Sequence, residues 1–111
     1  MIKKKSKIGV LGGSFDPAHK GHLAISKEAK KRFNLKKIIW AITKKNPLKA
    51  ESKTPILKRI KDCKKIIGMN SFIKVKFYEN IIKSNKTIDL INYLKKDKKI
   101  EIFFILAIVS Y

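Results

Sequence analysis

Both histidines of the chain fall within four residues, His19-Lys20-Gly21-His22. They close an eleven-residue string, Gly12-Gly13-Ser14-Phe15-Asp16-Pro17-Ala18-His19-Lys20-Gly21-His22. Two imidazoles three residues apart can face the same side of a first helical turn. Each then offers an N–H to an oxygen whose negative charge grows in a phosphoryl-type transition state. Gly12 and Gly13 let the backbone pass close to a phosphate group. The N–H groups of Ser14 and Phe15 can point at anionic oxygens, and an opening helix adds its positive end. Metal binding is the competing chemistry for such a pair, but the only further ligand type nearby is Asp16. Asp16 precedes Pro17 and reads as a turn former rather than a base. A lone histidine is ordinarily a surface or core residue; it is the joint pattern that points to an anion site.

Such a turn needs a strand leading in and a helix leading out. Residues 7–11 read as a short buried strand, ended by Gly12-Gly13. Residues 22–33 read as a helix with Ile25, Ala29 and Phe33 on one stripe. Residues 37–43 are apolar nearly throughout, as suits a strand covered on both faces. A polar loop follows over 44–53, holding Asn46-Pro47. Thr54 can cap a second helix with Pro55 at its first position. Ile56, Ile60, Cys63 and Ile67 give it one apolar face, and Gly68 stops it. Residues 72–77 alternate and predict a third strand. Ser84 or Asn85 can cap a helix reaching about residue 96, with Ile88, Ile91 and Leu94 inward. Residues 101–109 predict a fourth, strongly apolar strand. Strands alternating with helices predict an α/β fold, a parallel sheet covered on both faces. Such sheets bind ligands at the carboxyl ends of their strands, which places the turn after Leu11 first among candidate sites.

Composition bounds the alternatives. The 111 residues form a single domain over 1–111, too short for two full lobes. A hydrophobic content of 44% excludes a wholly disordered chain. One cysteine, Cys63, excludes a disulfide framework and a cysteine-based zinc site, and reads as a small core residue. The apolar run over 102–109 is shorter than the ~18 residues that span a bilayer. Lys+Arg 28 against Asp+Glu 8 gives a net charge of +20. Only Arg32 and Arg59 are arginine, and isoleucine is also heavily used, so AT-rich codon drift is the simpler origin of the lysines. A dedicated nucleic-acid binder would use more arginine and interleaved aromatics. Nucleic-acid binding is therefore expected to be non-specific and steeply salt-dependent. The basic start lacks the long apolar stretch of an export signal, and with one cysteine a reducing cytoplasm is expected.

At the eleven-residue string the sequence resembles the nucleotidyltransferase superfamily, in its nicotinate-nucleotide adenylyltransferase form. Trp-Ala-Ile-Thr-Lys-Lys-Asn-Pro-Leu-Lys over 40–49 and Lys-Thr-Ile-Asp-Leu over 86–90 are similar to two further segments of that branch. Related branches act on phosphopantetheine or on choline and glycerol phosphates. The resemblance implies a Rossmann-like sheet and adenylyl transfer from ATP to nicotinate mononucleotide, yielding deamido-NAD and pyrophosphate. It implies that His19 and His22 bind the ATP phosphates and steady the transition state. Gly12, Gly13, Ser14 and Phe15 would line the nucleotide pocket. Asn46, Lys49 and Thr87 would contact nicotinate mononucleotide, and Mg²⁺ would be held by the ATP phosphates. Local chemistry offers plainer roles too: Lys49 as a solvated side chain, Thr87 and Asp89 as helix-terminus stabilisers, Trp40 as core.

The resemblance runs over nearly the whole chain and departs after Phe104-Ile105, where the family continues with a Gly-x-Asp segment and later a Ser/Thr-rich phosphate clamp. It therefore implies a C-terminally truncated domain, completed if at all by a separately encoded part. The 111-residue chain alone is not expected to turn over. The alternatives are an inert nucleotide-binding remnant and a lysine-rich nucleic-acid-binding module without enzymatic activity.

Overall fold

The computed structural model describes residues 4–43, 54–84 and 86–105. Its elements run β1 (Ser6–Gly13), α1 (Lys20–Phe33), β2 (Lys37–Ile42), α2 (Ile56–Ile67), β3 (Ile73–Lys76), α3 (Glu79–Ile82), α4 (Thr87–Leu94) and β4 (Ile100–Ile105). The strands form one parallel sheet in the order β3-β2-β1-β4. β1 and β2 lie inside it, which is why both are apolar on both faces. On one face Leu11, Ile38, Trp40 and Ile42 pack against Ala29 of α1 and Cys63 and Ile67 of α2. On the other, Val10 and Ala41 meet Leu94 of α4, with Tyr93 and Phe104 beside them. The chain builds outward from β1 to β3, then returns to place β4 on β1's other side. Strand order thus reverses at β1, and the carboxyl end of β1 is the switch point where such sheets bind ligands.

Several expectations need correction. β1 does not end at Gly12-Gly13: Gly12 pairs with Ala41 and Gly13 with Ile42. A central strand with a partner continuing alongside keeps its ladder through glycines that would fray an isolated strand. α1 starts at Lys20, two residues early, because His19 serves as its N-cap. Its buried residues are Ser26 and Ala29, whereas Phe33 is half exposed and rests on Phe103 with ring centroids 5.7 Å apart. α2 has Pro55 at its N-cap and no side-chain cap. Thr54 instead offers its carbonyl to Arg59. Gly68 ends α2 with a φ of 58°, as expected of glycine.

The single-turn α3 had no distinct signal. α4 is shorter than expected and is entered from Lys86, not Ser84, while Asn85 lies outside the described residues. The Ser84 hydroxyl donates to Asp89 at 2.6 Å and accepts the Lys86 N–H, a local turn that delays the helix. Ile88 is exposed and only Leu94 is fully inward. The expected continuation of β4 to 109 lies outside the described residues beyond Ile105. Among the described residues no helix is long and apolar enough to cross a membrane.

Candidate active site

Beyond Gly13 the chain turns sharply. Phe15 has a φ of 51°, a left-handed conformation that bulky residues seldom adopt, and its ring is buried. That burial holds the turn: the Phe15 ring stacks on Trp40 of β2, centroids 5.0 Å apart and planes 18° from parallel. After Ser14–Ala18 the backbone reaches His19, extended at φ −148°, and α1 begins.

The start of α1 is capped by the two histidines reciprocally. His19 Nδ1 accepts the Gly21 N–H at 3.0 Å, and His22 Nδ1 accepts the His19 N–H at 3.1 Å. This is a capping box built from imidazoles in place of the usual hydroxyl and carboxylate. Each Nδ1 is an acceptor, so each neutral ring carries its proton on Nε2. The rings lie side by side, centroids 4.1 Å apart, as the spacing predicted. The cap therefore leaves each ring an Nε2–H donor near the positive end of α1, with the His19 Nε2 buried. The His22 ring also leans on Phe15 at 4.6 Å. Behind it, the Trp40 indole N–H donates to the Ser26 hydroxyl, which donates to the His22 carbonyl, each at 2.8 Å.

Partial burial and the neighbouring His19 push His22 down to about 4 from its ordinary 6.5. Above 6.5 the ring is neutral in folded and unfolded chains alike. As pH falls from 6.5 toward about 4 the unfolded chain takes up a proton that the folded chain refuses, so stability is lost. Allowing for solvent access to the ring, roughly 1–2 kcal/mol should go over that interval. Urea melts of wild type and His22→Gln across that range check it: the difference between the two should shrink or invert on acidification. A pH-independent difference would rule this out.

The structure brings Ser14, Phe15, His19 and His22 together around the end of β1, with Gly12 and Gly13 as its last two residues. Thr87 is elsewhere: it opens α4, on the sheet face opposite α1, and is exposed. Asn46 and Lys49 lie outside the described residues. Cys63 is core, its thiol pushed up to about 12 chiefly by burial. Among the described residues no group of three or more His, Cys, Asp or Glu could hold a metal ion.

Sequence reasoning passed over three contributors. Ser26, outside the expected stripe of Ile25, Ala29 and Phe33, is buried under Trp40. Gly21, a fixed position of the motif, was given no role of its own, yet the His19 ring packs against it. Arg59, buried on α2, donates from Nη1 to the carbonyls of Ser14 at 3.0 Å and Thr43 at 2.8 Å. A signal existed for Arg59: in a chain whose basic residues are otherwise almost all lysine, a retained arginine marks a place where guanidinium geometry is needed.

Comparison with known proteins bears on the family and the fold. Residues 10–109 match the cytidylyltransferase-like family. A relative from Pelagibacter ubique (strain HTCC1062), named a probable nicotinate-nucleotide adenylyltransferase, is 71% identical over 105 residues, covering 95% of this chain and 58% of the relative. One of the same name from Ruegeria sp. (strain TM1040) is 47% identical over 60 residues, 54% of this chain and 32% of the relative. In three dimensions the chain is similar to Plasmodium falciparum nicotinic acid mononucleotide adenylyltransferase complexed with NaAD. The TM-score is 0.72 at 22% identity, over 89% of this chain and 50% of the other. The chain thus spans only 58% of the Pelagibacter relative and 50% of the Plasmodium protein. With a reversing parallel sheet, an imidazole-capped helix at its switch point and a family match over nearly its whole length, the chain belongs to the cytidylyltransferase-like family.

Proposed function

We propose that the protein transfers the adenylyl group of ATP to nicotinate mononucleotide, forming deamido-NAD and pyrophosphate in NAD biosynthesis. The observation that carries this is the pair of Nε2–H donors fixed by the reciprocal cap at the switch point. The names of the relatives narrow the substrates. Among the described residues, a Cβ added to Gly12 would come nearest the Phe104 ring at 3.4 Å, and one added to Gly13 the Phe15 ring at 3.6 Å. Neither glycine has a positive φ, so their bareness is best suited to an approaching ligand.

The mononucleotide phosphate attacks the α-phosphorus of ATP in line. The new P–O bond forms as the bond to the β-phosphate oxygen breaks, and pyrophosphate leaves. The attacking phosphate is already ionised, so no general base is required. His19 and His22 donate to oxygens on which charge accumulates, and the α1 N-terminus adds its field. Mg²⁺, held by the ATP phosphates and not by protein side chains, would neutralise part of their charge. Asn46, Lys49 and Thr87 are proposed to bind nicotinate mononucleotide. Residues that complete the site would lie beyond those described, on this polypeptide or a separately encoded C-terminal part. We place the protein in the cytoplasm, with nucleic acid bound only non-specifically.

Binding tests the described part of the site. ATP with Mg²⁺ should quench or shift Trp40, the one tryptophan, which stacks on Phe15. Addition of nicotinate mononucleotide, but not choline phosphate or phosphopantetheine, should alter the response further. A chain that binds no ATP, or binds it equally well as His19→Ala and His22→Ala, would refute the assignment.

A further inference from the structure

Ser14 and Thr43 directly follow the neighbouring strands β1 and β2, and Thr54 leads into α2, so three separate stretches of chain must be held in register around the phosphate turn. Arg59 reaches all three. Its side chain is buried, 2% exposed, on the face of α2 turned toward the sheet. Nη1, which carries two hydrogens, donates to the Ser14 and Thr43 carbonyls at 3.0 and 2.8 Å, and Nε donates to the Thr54 carbonyl at 3.0 Å. Thr43 is itself tied to β1, its N–H donating to the Gly13 carbonyl at 2.8 Å.

The bond to Ser14 has a consequence for the adjacent amide. In a trans peptide the C=O of one residue and the N–H of the next point in opposite directions. A guanidinium that holds the Ser14 carbonyl toward α2 therefore turns the Phe15 N–H away from α2. We propose that Arg59 is a positioning residue for the phosphate turn, fixing the Ser14–Phe15 peptide so that the Phe15 N–H faces an anionic oxygen of the nucleotide. The proposal rests on the nucleotide-binding reading above. Arg59 touches no substrate; it acts through the backbone. A planar fork with fixed donor directions suits three carbonyls at once, whereas a lysine ammonium on a flexible stem does not.

The test compares wild type, Arg59→Lys and Arg59→Met by amide NMR and by ATP titration. Arg59→Lys keeps the charge, so a loss there reports geometry. The amides of Ser14, Phe15 and Thr43 should shift or broaden while those of β4 stay in place. ATP affinity should fall about tenfold, the scale of a lost hydrogen bond to a charged group. Undisturbed turn amides in either folded variant would overturn the proposal, as would disturbed amides with unchanged ATP affinity. If neither variant folds, the wild-type side chain still decides. Held by three carbonyls, the Arg59 Nη hydrogens should give separate, slowly exchanging resonances, and free rotation there would refute it. A wild-type chain that binds no ATP would defeat the nucleotide reading, while the amide shifts would still show whether Arg59 sets the turn.

Discussion

Replacing His22 with alanine should weaken ATP binding by the chain about tenfold to a hundredfold. In the adenylyl transfer proposed for the whole protein, the rate should fall about a hundred- to a thousandfold, the usual cost of removing one donor to a developing oxyanion. The variant loses two things at once. It loses the Nε2–H donor, and it strips the His19 N–H of the Nδ1 that accepts it at 3.1 Å. The second loss is a helix cap and costs about 1 kcal/mol. His22→Gln separates the two. A glutamine at the third helical position can reach back to the N-cap N–H, as in an ordinary capping box. It should restore most of the stability without restoring ATP affinity. Urea melts and ATP titrations on wild type and both variants make the comparison. If glutamine restored affinity as well, the cap alone would matter and the imidazole N–H would not be the working donor.

The same residue shows why the site was legible in the sequence. His19 and His22 are the only histidines, they sit three apart, and they follow a glycine pair at the end of an apolar run. Each of those facts is local, and a helix start is a local structure. The central strands were legible for a similar reason: β1 and β2 are apolar on both faces, and only a covered parallel sheet asks for that. What escaped depends on partners distant in sequence. Arg59 reads as one more charge on a basic helix until the carbonyls of Thr43 and Ser14, just past β2 and β1, arrive beside it. Ser26 reads as polar surface until Trp40 is laid across it. Gly12 and Gly13 read as a stop because the rule for glycine is local, while the ladder that carries β1 through them belongs to β2. Thr54 was expected to cap with its side chain, but its carbonyl was claimed by Arg59.

Gly21 gives the sharpest conflict between local rules and this structure. It is the second residue of α1, and its φ is not positive. By helix propensity alone, Gly21→Ala should stabilise the chain by up to about 1 kcal/mol. The site predicts the opposite sign. A Cβ on Gly21 would stand 2.7 Å from His19 Cε1 and 2.8 Å from its Nδ1, distances that real Cβ atoms do not adopt. The obstacle is a rigid ring with little freedom to give way, because its Nδ1 is bound to the N–H of Gly21 itself. The His19 imidazole must swing out, and the cap goes with it, at a cost of about 1 kcal/mol. The displaced ring no longer lies 4.1 Å from His22, so the paired donors part. Gly21→Ala should therefore be no more stable than wild type, and should bind ATP about tenfold or more weakly. Its ATP affinity should match that of His19→Ala, and combining the two changes should add little, because both remove the same ring from the same place. A stabilised Gly21→Ala chain with wild-type ATP affinity would show that His19 does not work from the capped position. Glycine between the two histidines is, on this argument, the space that the first imidazole occupies while it holds the helix and faces the nucleotide.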